Sequence, residues 1–255
     1  MNFTILFIVT EFIVVTYVFG LIYNFVGRKL SMHIQQNFGW TGYCVLGSIG
    51  VTFHEISHLI TALIFRHKIN EIMLFRPFQG RIDGTLGYVN HSFNSRSIYQ
   101  RVGNFFIGTA PMFFGAGLLF LLLRIAYPSS FISVTEISEI SYALIFAFNN
   151  TFNSDTLFAV WTPILFLFSI LICPYMHMSW ADVKGATSGA IVLAITAFAL
   201  SLASTVIPVN VMLQIQITMN TFVTHYVFAL VLGIIANISM AACFGLLSLI
   251  RGKRL

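Results

Sequence analysis

The chain has 255 residues, of which 58% are hydrophobic and only 8% charged. A soluble domain carries about 25% charged residues, so this composition excludes an ordinary soluble fold and fits an integral membrane protein of one compact domain. The formal charge of +5 is small and clustered in a few segments, so it reports membrane topology rather than a nucleic-acid-binding surface.

Residues 3–26 form an apolar run long enough to span a bilayer, which needs about 20 residues. The run reads as a span rather than a cleaved signal peptide. No Lys or Arg precedes it, Glu11 interrupts it, and no small-x-small cleavage site follows. A short polar connector with Arg28 and Lys29 is expected over 27–39, then a second span over about 40–65.

Residues 66–101 are the longest polar segment and hold Arg66, Lys68, Arg76, Arg81, Arg96 and Arg101. Ile69–Phe75 and Thr85–Phe93 are rich in β-branched and aromatic residues. They flank Pro77, Gly80 and Asp83-Gly84, which predicts a β-hairpin. Gly87 inside the second run predicts a bulge or a close backbone approach.

A third span is expected over about 102–126. Gly108-Thr109-Ala110-Pro111 and Gly115-Ala116-Gly117 in it predict close helix packing. Residues 127–156 are acidic, with Glu136, Glu139 and Asp155, and hold a short interfacial helix over about 136–149. The fourth span covers about 157–176 and breaks at Pro174; the fifth covers about 187–207 and the sixth about 221–249. Cys44, Cys173 and Cys243 lie in apolar stretches without pairing or metal spacing and read as buried thiols.

The expected fold is therefore an all-α polytopic membrane protein of about six transmembrane helices, with a small β-hairpin region after the second. Loop Lys and Arg place 66–101 and the basic C-terminus, with Arg251, Lys253 and Arg254, on the cytoplasmic side. The segment 127–156 has neither residue and is expected outside, as is 208–220. Arg28 and Lys29 are then left on the outer face.

Within the second span, His54-Glu55-Ile56-Ser57-His58 reads H-E-x-x-H. On a helix the two imidazoles leave one face a turn apart, able to chelate one Zn²⁺, with Glu55 placed to handle its water. Ionisable groups on consecutive turns of a membrane helix are costly and usually functional. A catalytic zinc takes three protein ligands, so a third is needed. Asp83 lies in the hairpin turn and Asp155 on the far side. Asp182 and His177, five residues apart near the cytoplasmic face, are the candidates. Asp182 also reads as a helix N-cap, and His177 as a polar tip at headgroup level. His33, His67, His91 and His225 read as surface or packing residues.

A membrane helix with H-E-x-x-H, a β-hairpin, a span with a Gly-Pro-rich start and a later span break with Asp near Gly resemble the site-2 protease family of intramembrane zinc metallopeptidases. The resemblance covers about residues 40–190, leaving an extra N-terminal span at 3–26 and extra C-terminal spans at 187–249. Gly108-Thr109-Ala110-Pro111 is similar to the family's Ala-Gly-Pro stretch. Asp182-Val183-Lys184-Gly185 resembles its Asp-Gly motif, although Val183 stands at the glycine position, and Pro174 and His177 stand at the motif's Asn and Pro positions.

The resemblance implies Zn²⁺ held by His54, His58 and Asp182, with Glu55 as general acid and base. It implies peptide-bond cleavage in a membrane-embedded protein or peptide substrate whose extended segment pairs with the hairpin edge. It also implies residence in a bacterial cytoplasmic membrane. A non-proteolytic protein that binds metal or a partner helix through the same residues is the alternative.

Overall fold

The computed structural model describes residues 3–153, 161–203 and 207–252. Asp155, Lys253 and Arg254, and the start of the expected fourth span, lie outside the described residues.

Helix α1 (Thr4–Ile64) takes in both expected N-terminal spans and the polar stretch between them. The connector expected over 27–39 is helical up to one break at Gly39, where φ is 66°. Glycine enters that left-handed region without the penalty a Cβ brings. The break reverses the chain. Gly27 packs against Pro174 and His177, and the ring of His54 lies 5.8 Å from that same His177 ring. On a straight helix residues 27 and 54 would be roughly 40 Å apart. The two limbs of α1 therefore fold back on each other around a single residue.

Strands β1 (Lys68–Met73) and β2 (Tyr88–Ser92) pair antiparallel, Lys68 opposite Ser92 and Met73 opposite Tyr88. They are shorter than expected because Pro77 opens a short helix, α2 (Pro77–Asp83), inside the connector. Proline is pre-set for a first helical turn. Asp83 closes the connector, pairing with Arg76 and accepting the Thr85 N–H at 2.9 Å. The register shift falls between Ile69 and Glu71, not at Gly87. Gly87 instead provides the close approach that was the other expectation, against Glu55 and the Leu74 carbonyl.

The hairpin does not stand off the end of the bundle. It lies along the second limb of α1. His91 meets His67 just past that limb's C-terminal end, Gly87 meets Glu55 near its middle, and the Pro77 carbonyl accepts the Trp40 indole N–H at 3.0 Å beside Gly39. Arg76 and Arg81 thus lie towards the Gly39 end, where Arg251 also donates to the Asn37 carbonyl at 3.0 Å. Arg66 and Arg101 flank the opposite end, where Tyr99 donates to the Ile64 carbonyl. The expectation that 66–101 and Arg251 share one face is corrected. The charges divide between both ends because the hairpin is as long as the limb it covers.

Helix α3 (Ile98–Ala126) begins where the Ser97 hydroxyl accepts the Gln100 N–H, and Pro111 lies inside it. Helix α4 (Ile140–Thr151) takes the place of the expected interfacial helix, a few residues later. Helix α5 (Trp161–Leu171) is followed by a 3₁₀ turn over Cys173–Tyr175. Helix α6 (Trp180–Ala203) starts earlier than expected and so includes Asp182 in its first turn. Helix α7 (Val209–Ile250) has 42 residues. The outer loop expected over 208–220 is helical, because no Gly or Pro lies between Pro208 and Gly233 to interrupt it.

Among the described residues four helices, α1, α3, α6 and α7, are long and apolar enough to cross a membrane, and the stretch containing α5 is a shorter apolar one. The first limb of α1 runs parallel to α7: the Tyr23 hydroxyl donates to the Leu230 carbonyl at 3.1 Å, and Asn37 Nδ2 to the Phe244 carbonyl at 2.8 Å. Tyr23, Met112, Met176, Met178 and Leu230 fill the centre of the bundle. Cys44 and Cys173 are buried as expected; Cys243 is exposed.

Non-helical backbone at bundle depth is tolerated where protein groups satisfy it. The turn between α5 and α6 meets that condition carbonyl by carbonyl. Cys173 O accepts from Asn237 Nδ2 at 3.1 Å, Pro174 O from His177 Nδ1 at 2.9 Å, and Tyr175 O from His54 Nδ1 at 2.7 Å.

Candidate metal centre

The second limb of α1 presents His54, Glu55 and His58, each less than 10% exposed, at the level of the α5–α6 turn. Asp182 reaches the same point from the first turn of α6. Its Oδ1 is 3.4 Å from His58 Nε2 and its Oδ2 3.8 Å from His54 Nε2; the two Nε2 atoms are 3.1 Å apart. These three side chains form a group that could hold a metal ion, the only one among the described residues.

The tautomers follow from the partners. A carbonyl oxygen can only accept. His54 Nδ1 faces Tyr175 O and His58 Nδ1 faces Ile107 O, both at 2.7 Å, so both Nδ1 atoms carry the hydrogen. In the neutral rings each Nε2 is then a bare lone pair. Two lone pairs and a carboxylate converging within a few ångströms repel one another unless a cation lies between them. Such outer partners are also what orient metal-binding imidazoles.

Asp182 is held by a reciprocal pair of bonds. Its Oδ2 accepts the Ser179 N–H at 2.7 Å, and its own N–H donates to Ser179 Oγ at 3.1 Å. This is a capping box with Ser179 at the N-cap and Asp182 at the third helical position. The expected capping role is therefore present, but Asp182 does not fill the cap position itself. The box fixes the carboxylate while Oδ1 still points at His58. Gly108 packs directly on the Asp182 carbonyl, so the small-residue stretch of α3 abuts this turn.

His177, the competing third ligand, lies beside the group but outside it. Its Nδ1 is committed to Pro174 O, and its ring faces His54 at 5.8 Å between centroids. It satisfies the broken backbone. Glu55 is adjacent to the group without belonging to it, and its side chain lies under the backbone of Gly87. A Cβ at residue 87 would sit 2.7 Å from Glu55 Cγ, so only glycine fits there unless Glu55 moves.

Two further histidines, expected as surface or packing residues, are partners. His67 Nε2 donates to Gln100 O at 2.9 Å, leaving Nδ1 to accept from His91 Nδ1 at 3.0 Å. That pair is satisfied as two neutral rings and needs no cation. The carbonyls of Tyr175 and Ile107 carry no sequence signature of their own. The Ser-x-x-Asp spacing at 179–182 and the proline four residues after Ile107 are the signals that could have revealed them.

No family model, no curated protein and no solved structure matches the chain.

Proposed function

We propose that the protein is an intramembrane zinc endopeptidase of the site-2 protease kind, cleaving membrane-embedded segments of proteins or peptides in a bacterial cytoplasmic membrane. The observation that carries the reading is the convergence of two bare Nε2 atoms and the Asp182 carboxylate beside a buried glutamate outside the ligand group.

The donor set fits Zn²⁺. Tetrahedral ligands at about 2.0–2.1 Å from a zinc ion lie roughly 3.4 Å from one another. The three separations here, 3.1, 3.4 and 3.8 Å, bracket that value. Three protein donors leave a fourth position, as in catalytic rather than structural zinc sites. A zinc ion held there supplies Lewis acidity, polarising a scissile carbonyl and acidifying water.

The chain's own groups do the rest. His54 and His58 are locked in the Nδ1–H tautomer by Tyr175 O and Ile107 O. Asp182 contributes the negative charge that offsets the dication, an offset worth more in a low-dielectric site than in water. Glu55 accepts the proton of the attacking water and passes it to the leaving nitrogen as the peptide bond breaks. The hairpin along the second limb is suited to hold an unwound substrate segment by strand addition, beside Glu55. Four long apolar helices support residence in a membrane.

The test is metal content together with cleavage of a model transmembrane peptide, wild type against Glu55→Gln. Zinc bound by both, with cleavage only by wild type, is the expected result. Zinc binding without any cleavage by wild type would favour a protein that holds metal without hydrolysis.

A further inference from the structure

The two imidazole-orienting carbonyls share an origin. In an unbroken helix the N–H of residue i donates to the carbonyl of residue i−4. The residue four beyond Ile107 is Pro111, inside α3, which has no N–H. The residue four beyond Tyr175 is Ser179, whose N–H goes to Asp182 Oδ2 instead. Each histidine thus bonds a carbonyl that a helix break has released. At Tyr175 the break is visible as a turn. At Ile107 the helix continues on both sides, and proline alone makes the difference.

We propose that Pro111 is a positioning residue for the metal centre: it frees and tilts the Ile107 carbonyl so that His58 is held with Nδ1 protonated and Nε2 bare. This rests on the metal-binding reading above. Proline in a helix interior removes the i→i−4 bond, and its ring presses on the carbonyl of residue i−4, turning it from the helix axis. The freed oxygen is buried, and His58 Nδ1 meets it at 2.7 Å. An N–H at residue 111 would draw that carbonyl back along the axis and compete with His58 for it. The ring could then rotate or change tautomer, since Ile107 O is the partner that holds His58 Nδ1.

The inference separates from a packing role by the direction of its effects. Alanine at a helix interior is far more favourable than proline, so Pro111→Ala should leave the metal-free protein as stable or make it more stable. Outer-partner losses typically weaken metal binding 10- to 100-fold. The experiment measures zinc affinity of the purified full chain by chelator competition, alongside the melting temperature of the metal-free form. Three proteins are compared: wild type, Pro111→Ala, and a variant with lactic acid at 111, which has the alanine side chain and an ester oxygen in place of N–H. The expected result is about 10- to 100-fold weaker zinc binding by Pro111→Ala at an equal or higher melting temperature, with the lactic acid variant close to wild type. Unchanged affinity in Pro111→Ala, or equal losses in both variants, overturns the proposal. If Pro111→Ala does not fold, Pro111→Leu takes its place in the same comparison: a tenfold or greater loss beside a near-wild-type lactic acid variant supports the role, and unchanged affinity or equal losses overturn it. No zinc binding by wild type overturns the metal reading itself and is distinct from all of these.

Discussion

The backbone of Gly87 lies against the side chain of Glu55, so closely that a methyl group at residue 87 would stand 2.7 Å from Glu55 Cγ. The hairpin therefore shapes the position of the glutamate that carries the proposed proton transfers. Gly87→Ala is expected to displace Glu55 and to slow cleavage by about 10- to 100-fold, less than outright loss of the general base. Zinc content should be unchanged, because the atoms nearest an added Cβ belong to Glu55 and Leu74 rather than to the three ligands. Peptide cleavage and metal analysis on one preparation check this. Wild-type turnover by Gly87→Ala would mean the hairpin yields at no cost to Glu55.

Glu55→Gln should retain zinc and lose about 10²- to 10⁴-fold in cleavage rate. Glu55 stands outside the ligand group, so removing its charge leaves the three donors intact. Full cleavage by the purified variant would sink the enzymatic assignment. Loss of zinc would instead give Glu55 a structural role.

Asp182→Ala should lose most of its metal and all activity, whereas His177→Ala should retain metal. The geometry motivates both halves: Asp182 faces both Nε2 atoms, and His177 Nδ1 is committed to Pro174 O. Asp182→Ala also removes the capping-box acceptor, which costs stability on the order of 1 kcal/mol. Zinc stoichiometry must therefore be read with a melting curve for each variant. A reversed outcome, metal lost with His177 and kept without Asp182, would point to three imidazole ligands.

The His67–His91 pair should make the hairpin base sensitive to acid. Burial pushes both imidazoles below the ordinary histidine value, and for His91 the neighbouring His67 adds to this. The unfolded chain then takes up protons first as the pH falls below about 6.5. Stability from the neutral pair is full above that pH and declines as the pH drops towards the depressed folded values. In His91→Gln this part of the decline should shrink. Melting temperatures of the two proteins across pH 5–8 measure it, and parallel profiles would refute the assignment.

The sequence by itself determined the membrane-type helices and two of the three residues of the candidate centre. Apolar runs longer than a bilayer's thickness define membrane-type helices whatever their neighbours do. The i, i+4 spacing places His54 and His58 on one helix face because helical periodicity is local. The β-branched runs around Pro77 and Asp83-Gly84 give a hairpin for the same reason, and Gly87 announced a close approach.

Only the tertiary structure decided what depends on how distant elements meet. Helix limits shifted at Gly39, the one position in α1 with non-helical φ, and after Pro208, because a few polar residues do not by themselves end a helix. The hairpin's course along α1 divided the basic residues between two ends, which a count of loop charges does not foresee. Asp182 and His177 are both candidates by position in the sequence, and only the resemblance favours Asp182. They separate because the Ser179 capping box aims one at the Nε2 pair, while the broken backbone at Pro174 claims the other. The acceptors that fix both tautomers are backbone carbonyls, which every residue possesses. Their use here depends on where a proline or a diverted N–H left one free, and on a histidine from another helix arriving beside it.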